Sequence, residues 1–420
     1  MSIFPASGEA NDLSSTRMTS PPRTTTDWPL VWLLVITGFA VACQIGKMPP
    51  ALPAIRAELD IGLRAAGWFV SLVNLMTALG GTLIALTADR VGHRRLAMAG
   101  LVAGVIASVA GATTASPTML FASRVVEGLG FLAVGVSVPP LILRVSAPRD
   151  VRQVMALWGA YLPGGAGLMA LASAGLLPTV GWRGVWWASV AVLVLTALAL
   201  LRSSAGRGDN AVPRSGGRTL GRDMLDAAGS RGALAIGACF GLYASSWFAV
   251  IGFLPTLQVE RMSLDPAVAA AVTAGVILAN VCGSIAAGWL LQRGWQRVTI
   301  IVVTAALMAL TAAGVFLDVL PPVLRLATAF VFSAVASAIP GALFAAVPVH
   351  APRPDLIGAT TGMLMQGSNI GALLGPPIVA ALVSAGDWSW ALLYTTPALA
   401  CAVVAAWFLH RAERRLAHHS

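Results

Sequence analysis

The sequence predicts an all-α membrane protein, with twelve transmembrane helices in two six-helix halves. Three observations predict it. Of the 420 residues 57% are hydrophobic and only 10% are charged, against roughly 25% charged in a soluble globular domain. The apolar residues fall in twelve runs of the length needed to cross ~30 Å of hydrocarbon, about 20 residues each. The second six runs repeat the landmarks of the first at an almost constant spacing.

In order, the expected spans are 28–48, 66–88, 96–114, 118–144, 153–176 and 184–202, then 231–254, 266–291, 298–317, 322–347, 356–384 and 388–409. The 43 glycines and 25 prolines fit this reading, because membrane helices tolerate both where neighbouring protein satisfies the freed backbone groups. Residues 1–27 are Ser/Thr/Pro-rich and read as a disordered cytoplasmic tail without a cleaved signal peptide. The Gly/Ser/Arg-rich stretch 203–230 reads as a cytoplasmic linker between an N-terminal half, 28–202, and a C-terminal half, 231–410. Residues 411–420 form a second cytoplasmic tail.

The net charge of +10 follows topology rather than a nucleic-acid patch. Twenty of the 27 basic residues fall on the side that carries both chain ends, five fall on the other side, and two lie inside spans. By the positive-inside rule both termini are cytoplasmic, as in a multi-pass protein of a bacterial inner membrane. The four cysteines lie in apolar runs and read as free thiols packed like small apolar residues. His93, His350, His410, His418 and His419 form no metal-ligand spacing, and no phosphate-cradling loop is present. The expectation is therefore neither an enzyme nor a nucleotide-driven pump, with no cofactor and no metal.

The repeat rests on three landmarks. Leu52-Pro53 with Glu58 recurs 202 residues later as Leu254-Pro255 with Glu260. Asp89-Arg90 with Arg94 recurs 203 later as Gln292-Arg293 with Arg297. Ala147-Pro148-Arg149 recurs 204 later as Ala351-Pro352-Arg353. A repeated six-helix unit is a common plan of secondary transporters, with the cargo site between the repeats near the bilayer midplane.

The segment Ala85-Leu86-Thr87-Ala88-Asp89-Arg90-Val91-Gly92-His93-Arg94-Arg95 resembles the loop motif of the major facilitator superfamily, G-x-x-x-D-R-x-G-R-R/K, in its place between spans two and three. It departs at Ala85 and His93. The second copy, Gly288 to Gly294, has Gln292 where the carboxylate belongs. Arg124-Val125-Val126-Glu127-Gly128-Leu129-Gly130 resembles the family's R-x-x-x-G-x-G motif. Gly371 to Pro376 partly resembles its antiporter motif, but in span eleven rather than five. The likeness covers nearly all of 28–410. Its overall pattern resembles the cyanate- and nitrate-type permeases, without a cargo-specific motif. The resemblance implies gating at Asp89, Arg90, Arg94, Arg95 and Arg293, and a cavity lined by spans one, four, seven and ten.

Charges inside spans are costly and mark function by default. Lys47, the only lysine, lies in span one; Arg124 and Glu127 lie one turn apart in span four. Two cations on cavity helices point to an anionic cargo, and Glu127 can pair with Arg124 or carry a coupling proton. Each also has a plain structural reading, Lys47 snorkelling to the interface and Arg124 neutralised by Glu127. Gln44, Asn74, Tyr161, Tyr243, Trp247, Asn280, Gln366 and Asn369 are the polar and aromatic candidates beside them. They serve equally well to tie helices together. The expected function is a monomeric secondary transporter moving a small anion with protons among membrane lipids. A proton-driven multidrug exporter is the alternative, and a non-transporting sensor a more distant one.

Overall fold

The structure is a computed structural model and describes residues 25–80, 91–205, 229–351 and 356–417. The loop-motif residues Asp89 and Arg90, most of the linker and most of the N-terminal tail lie outside these. In the first half the helices are α1 Trp28–Gly46, α2 Met48–Leu59, α3 Leu63–Ser71, α4 His93–Thr113, α5 Pro117–Val145, α6 Val151–Gly159 and α7 Tyr161–Arg202. The second half holds α8 Arg231–Met262, α9 Pro266–Gln292, α10 Arg297–Phe316, α11 Pro322–Ala336, α12 Ala338–His350, α13 Ile357–Ala385 and α14 Leu392–Ala417. A 3-10 turn, Leu72–Asn74, follows α3, and the helix then runs on to Gly80.

Among the described residues, 11 helices are long and apolar enough to cross a membrane. The longest, α7, has 42 residues. At 1.5 Å per residue it is about 63 Å long, roughly twice the hydrocarbon thickness. It is broken at Gly181, whose φ of 65° and ψ of −175° are open to glycine and costly for other residues. It therefore supplies two crossings, and the total agrees with the twelve expected. With an even number of crossings both chain ends lie at one end of the bundle, called here the terminal end; the opposite is the far end.

Helices α1 and α2 form one crossing interrupted at Lys47. The next residues are Met48-Pro49-Pro50, and two prolines in succession withhold the amides that the carbonyls of Ile45 and Gly46 would have accepted. Ser337 separates α11 from α12 in the same way ahead of Pro340.

The halves meet where α3 packs on α13, α7 on α9, and α2 on α8 and α9. Within the second half the tightest pair is α8 with α13. Gly367, Gly371 and Gly375, one per turn, lie directly on the backbone carbonyls of Gly237, Gly241 and Ser245. The part-match to the antiporter motif thus serves close helix packing, as small residues do in membrane interfaces. Two cysteines, Cys43 and Cys239, are buried as expected; Cys282 and Cys401 are exposed.

Candidate functional site

The break after α1 sets the Lys47 side chain inside the first half, among α1, α4, α5 and α7. Its Nζ lies 2.6 Å from Glu127 Oε1, 3.1 Å from Ser108 Oγ, 3.3 Å from Ser189 Oγ and against Gln44 Oε1. The ring of Trp186 is 4.4 Å from the ammonium. Glu127 turns its second oxygen to Arg124 Nη1, one turn back on α5. Arg124 Nη1 also donates to the Gln44 carbonyl at 2.8 Å. Ser108 Oγ is 2.9 Å from both Gln44 Oε1 and Glu127 Oε1. Lys47, Arg124 and Glu127 are 0% exposed.

Two cations thus share one carboxylate in a fully buried site. Bare burial of any of the three would cost several kcal/mol, and only mutual pairing with full hydrogen bonding offsets it. The bonding is not full. Arg124 Nε and Nη2, Gln44 Nε2 and Trp186 Nε1 are buried without a partner. Every one is an N–H donor, so the cluster has donors and positive charge to spare and lacks acceptors.

The next residue on α5, Gly128, lies on the Val73 carbonyl of the 3-10 turn after α3. The Arg124 guanidinium is 6.0 Å from the Phe69 ring of α3. On another face of α3, Gly67 touches Pro377 and Ala380 of α13. One helix therefore separates the ionic cluster from the other half.

A second polar group lies in the C-terminal half. Trp247 Nε1 donates to Ser333 Oγ at 3.3 Å, Asn280 Nδ2 donates to the Ser333 carbonyl at 3.1 Å, and Ser337 Oγ donates to the Asn280 carbonyl. Tyr243 is buried beside Asn280 and stacks on Phe240. Three of the expected site residues, Tyr243, Trp247 and Asn280, are thus one cluster. Tyr161 instead stacks on Trp158, 4.3 Å between centroids, and on Phe131. Gln366 and Asn369 lie part-exposed on α13, and Asn74 is buried in the 3-10 turn.

At the terminal end, Arg94 donates to the carbonyls of Leu200, Leu201, Ser203 and Ala205, where α7 ends. A cation at a helix C-terminus meets unsatisfied carbonyls and the negative end of the dipole. Its repeat counterpart Arg297 does the equivalent in the second half, pairing at 3.0 Å with Glu413 near the end of α14. His350 Nε2 is 3.1 Å from the same carboxylate. Burial pushes the Glu413 carboxyl up, but His350 and Arg297 together hold it below the usual range. These ties lie within one half. Arg95 is exposed, and Arg293 lies over the Trp289 ring at 3.6 Å.

Ser108, Ser189 and Trp186 escaped the sequence reading. Serine in an apolar helix and tryptophan near a membrane surface are both common, so neither signals a partner. Among the described residues no group of three His, Cys, Asp or Glu is placed to hold a metal.

The family model described as Major Facilitator Superfamily matches residues 34–365 and 236–420. An MFS-type transporter of Mycobacterium tuberculosis is 26% identical over 40% of this chain and 29% of its own length. Monocarboxylate transporter 11 of Mus musculus is 29% identical over 90% of this chain and 86% of its own. The arabinose-proton symporter of Escherichia coli is 30% identical over 40% and 34%. The chain thus spans under a third of the first of these relatives and about a third of the last. Among solved structures, an inward-facing bacterial homolog of the human lysosomal transporter Spinster superposes with a TM-score of 0.74 at 17% identity, covering 91% of this chain and 97% of that one. Two overlapping family matches across nearly the whole chain, on a bundle of twelve crossings, make this protein a member of the major facilitator superfamily, whose proteins are membrane transporters and not enzymes.

Proposed function

We propose that the protein is a proton-coupled secondary transporter of a small anion. It works as a monomer in a bacterial inner membrane with both termini cytoplasmic. The halves 28–202 and 231–410, joined by the linker 203–230, rock about the site in alternating access. The single observation that carries this reading is the buried cluster in which Lys47 and Arg124 share Glu127 and four N–H donors stay unpaired.

Such a site attracts negative charge. Glu127 stands in for the cargo while the site is empty. A proton on Glu127 releases both cations to an incoming anion, so the proton and the anion favour each other's binding. The charged groups around Glu127 are Lys47 at the α1–α2 break and Arg124 on its own helix; the Cys43 thiol faces Lys47. Trp247, Tyr243 and Asn280, with Gln44, Tyr161, Gln366 and Asn369, meet the rest of the solute. The loop Asp89 to Arg95 with Arg293 gates the cytoplasmic side. Two relatives support the reading by name, one a monocarboxylate transporter and one a proton symporter.

Purified protein in proteoliposomes tests it. Uptake of a labelled small anion should rise with an imposed proton gradient, and fall to background in Lys47→Ala and Arg124→Ala. Proton-driven export of lipophilic cations with no anion movement would sink the reading and favour the multidrug exporter.

A further inference from the structure

The empty acceptor positions in the ionic cluster have a shape. A guanidinium presents two parallel N–H bonds along its Nε–Nη2 edge, spaced to meet the two oxygens of a planar oxyanion. Arg124 spends Nη1 on Glu127 and the Gln44 carbonyl. It leaves Nε and Nη2, the two atoms of that edge, buried and unpartnered. The Gln44 amide, whose carbonyl oxygen is held by Lys47 and Ser108, has its own Nε2 free as well. Leaving buried donors unmade costs about 1–3 kcal/mol each, more for a charged group. That penalty is removed when an acceptor arrives, so it becomes selectivity for whatever supplies two coplanar oxygens.

Charge narrows the class further. With Glu127 ionised, as its pairing with both Lys47 and Arg124 requires, two cations face one carboxylate, and one added negative charge completes neutrality. A dianion exceeds that charge and meets it only once Glu127 has taken up a proton. The nearby walls are aromatic: Phe69 lies over the guanidinium, Phe121 meets Phe69 edge-on at 5.4 Å, and Trp186 lies under Lys47. Apolar walls give nothing back for a lost hydration shell, so a singly charged ion costs less to bring in than a doubly charged one.

We infer that the cargo is a planar monoanion with two coplanar oxygens, a carboxylate or a nitrate-like ion, held bidentately on the Nε–Nη2 edge of Arg124. This rests on the anion reading above and makes it more specific. Spherical halides reach only one donor at a time, and doubly charged oxyanions such as sulfate fit the edge through two of their oxygens but exceed the charge of a site whose Glu127 is ionised.

The test uses the wild-type protein first, so that no variant has to fold. Counterflow in proteoliposomes is competed with acetate, nitrate, chloride and sulfate at equal concentration, and saturable thermal stabilisation of the detergent-purified protein is measured with the same four. Acetate or nitrate should compete and stabilise at concentrations at least about tenfold lower than chloride or sulfate. Arg124→Lys keeps the charge and loses the fork, and should erase that preference while anion transport persists at reduced affinity. Equal competition by chloride, or preference for sulfate, would overturn the planar-monoanion inference and leave anion transport standing. An unchanged preference in Arg124→Lys would show that the free edge holds water only, and would overturn it too. Absence of any anion effect, with lipophilic cations competing instead, would remove the underlying reading itself.

Discussion

Arg56, at the end of α2 in the first half, reaches across to Glu260 on α8 of the second, with Nη1 2.6 Å from Oε1. This far-end tie exists because the repeat is broken. Glu58 and Glu260 are counterparts in the two halves, yet their partners differ. Glu58 is taken by Arg183 and by Trp182 Nε1 from its own half. The corresponding turn of the second half, Gly386 to Trp390, carries Asp387 and no cation. Glu260 therefore accepts a cation from the opposite half. The adjacent Arg261 pairs at 3.8 Å with Asp318, which also holds Arg325, so the local network does not compete for Glu260.

The first prediction follows from this asymmetry. Arg56 and Glu260 are 22% and 42% exposed, so the pair contributes only about 0.2–1 kcal/mol. That is enough to shift a two-state equilibrium by up to roughly fivefold. Glu260→Gln should move the population toward a far-end-open form, seen as longer distances between spin labels flanking the far-end mouth. Arg56→Glu combined with Glu260→Arg should return the wild-type distribution. If the single and double variants give the same distances, the pair is not a latch.

Glu58 makes the second prediction. Trp182 Nε1 donates to its carboxylate at 2.6 Å, and Arg183 pairs with it. The Arg183 and Glu58 side chains are 34% and 44% exposed, so the pair contributes only about 0.2–1 kcal/mol. Glu58→Gln should lower the melting temperature slightly, and the same change in an Arg183→Ala background should cost less. Melting temperatures of wild type, the two single variants and the double variant decide this; equal costs of Glu58→Gln in both backgrounds would mean that the two side chains are not coupled.

The ionic cluster predicts an order of damage that charge counting sets and size does not. Glu127→Gln leaves two cations with no anion. Lys47→Met leaves Arg124 and Glu127 as one neutral pair. Removing the shared partner of a buried ion pair costs about 3–5 kcal/mol, so Glu127→Gln should lower the melting temperature much more than Lys47→Met. Adding Lys47→Met to Glu127→Gln should recover part of the loss by returning one cation to one site. Equal losses for the two single variants would mean that the cluster is hydrated and screened in solution, against the burial that the pairing argument uses.

These residues also mark how far sequence reasoning reached. The spans were legible because hydrocarbon thickness sets a length that composition reveals directly. Lys47, Arg124 and Glu127 were legible because charge inside a span is expensive, so its presence is a signal. The pairing of Arg124 with Glu127 was legible too, from their spacing of three residues; the approach of Lys47 was not, because it depends on the break at Lys47 turning a side chain inward toward α4 and α7. Ser108 and Ser189 carry no cost in a helix and so leave no trace. Arg94 was read as part of a gate from its motif. Four of its partners are carbonyls at the end of α7, which every residue has, so that cap could not be seen in the residue types. Arg56 is one of the five basic residues counted on the less basic side, and Glu260 enters only as a landmark of the repeat. The repeat marks Glu58 and Glu260 as counterparts, but nothing in the residue types says that their partners differ.

Packing of α8 on α13 gives the last prediction. Gly371 lies against the Gly241 carbonyl so closely that a methyl group cannot enter unless the helices separate. Forced overpacking of this kind costs typically about 1–3 kcal/mol, and here both walls are backbone, so rotamer changes cannot relieve it. Gly371→Ala should lower the melting temperature, and pairing it with Gly241→Ala should be worse than either alone. Gly135, in the middle of α5, is the control, since an added methyl there meets nothing within 4 Å. Gly135→Ala removes the entropic penalty of glycine in a helix and should be neutral or stabilising by up to about 1 kcal/mol. The contrast separates two meanings of glycine in a membrane helix. If Gly371→Ala is as benign as Gly135→Ala, the α8–α13 seam has slack, and the motif-like run from Gly371 to Pro376 serves bending rather than contact.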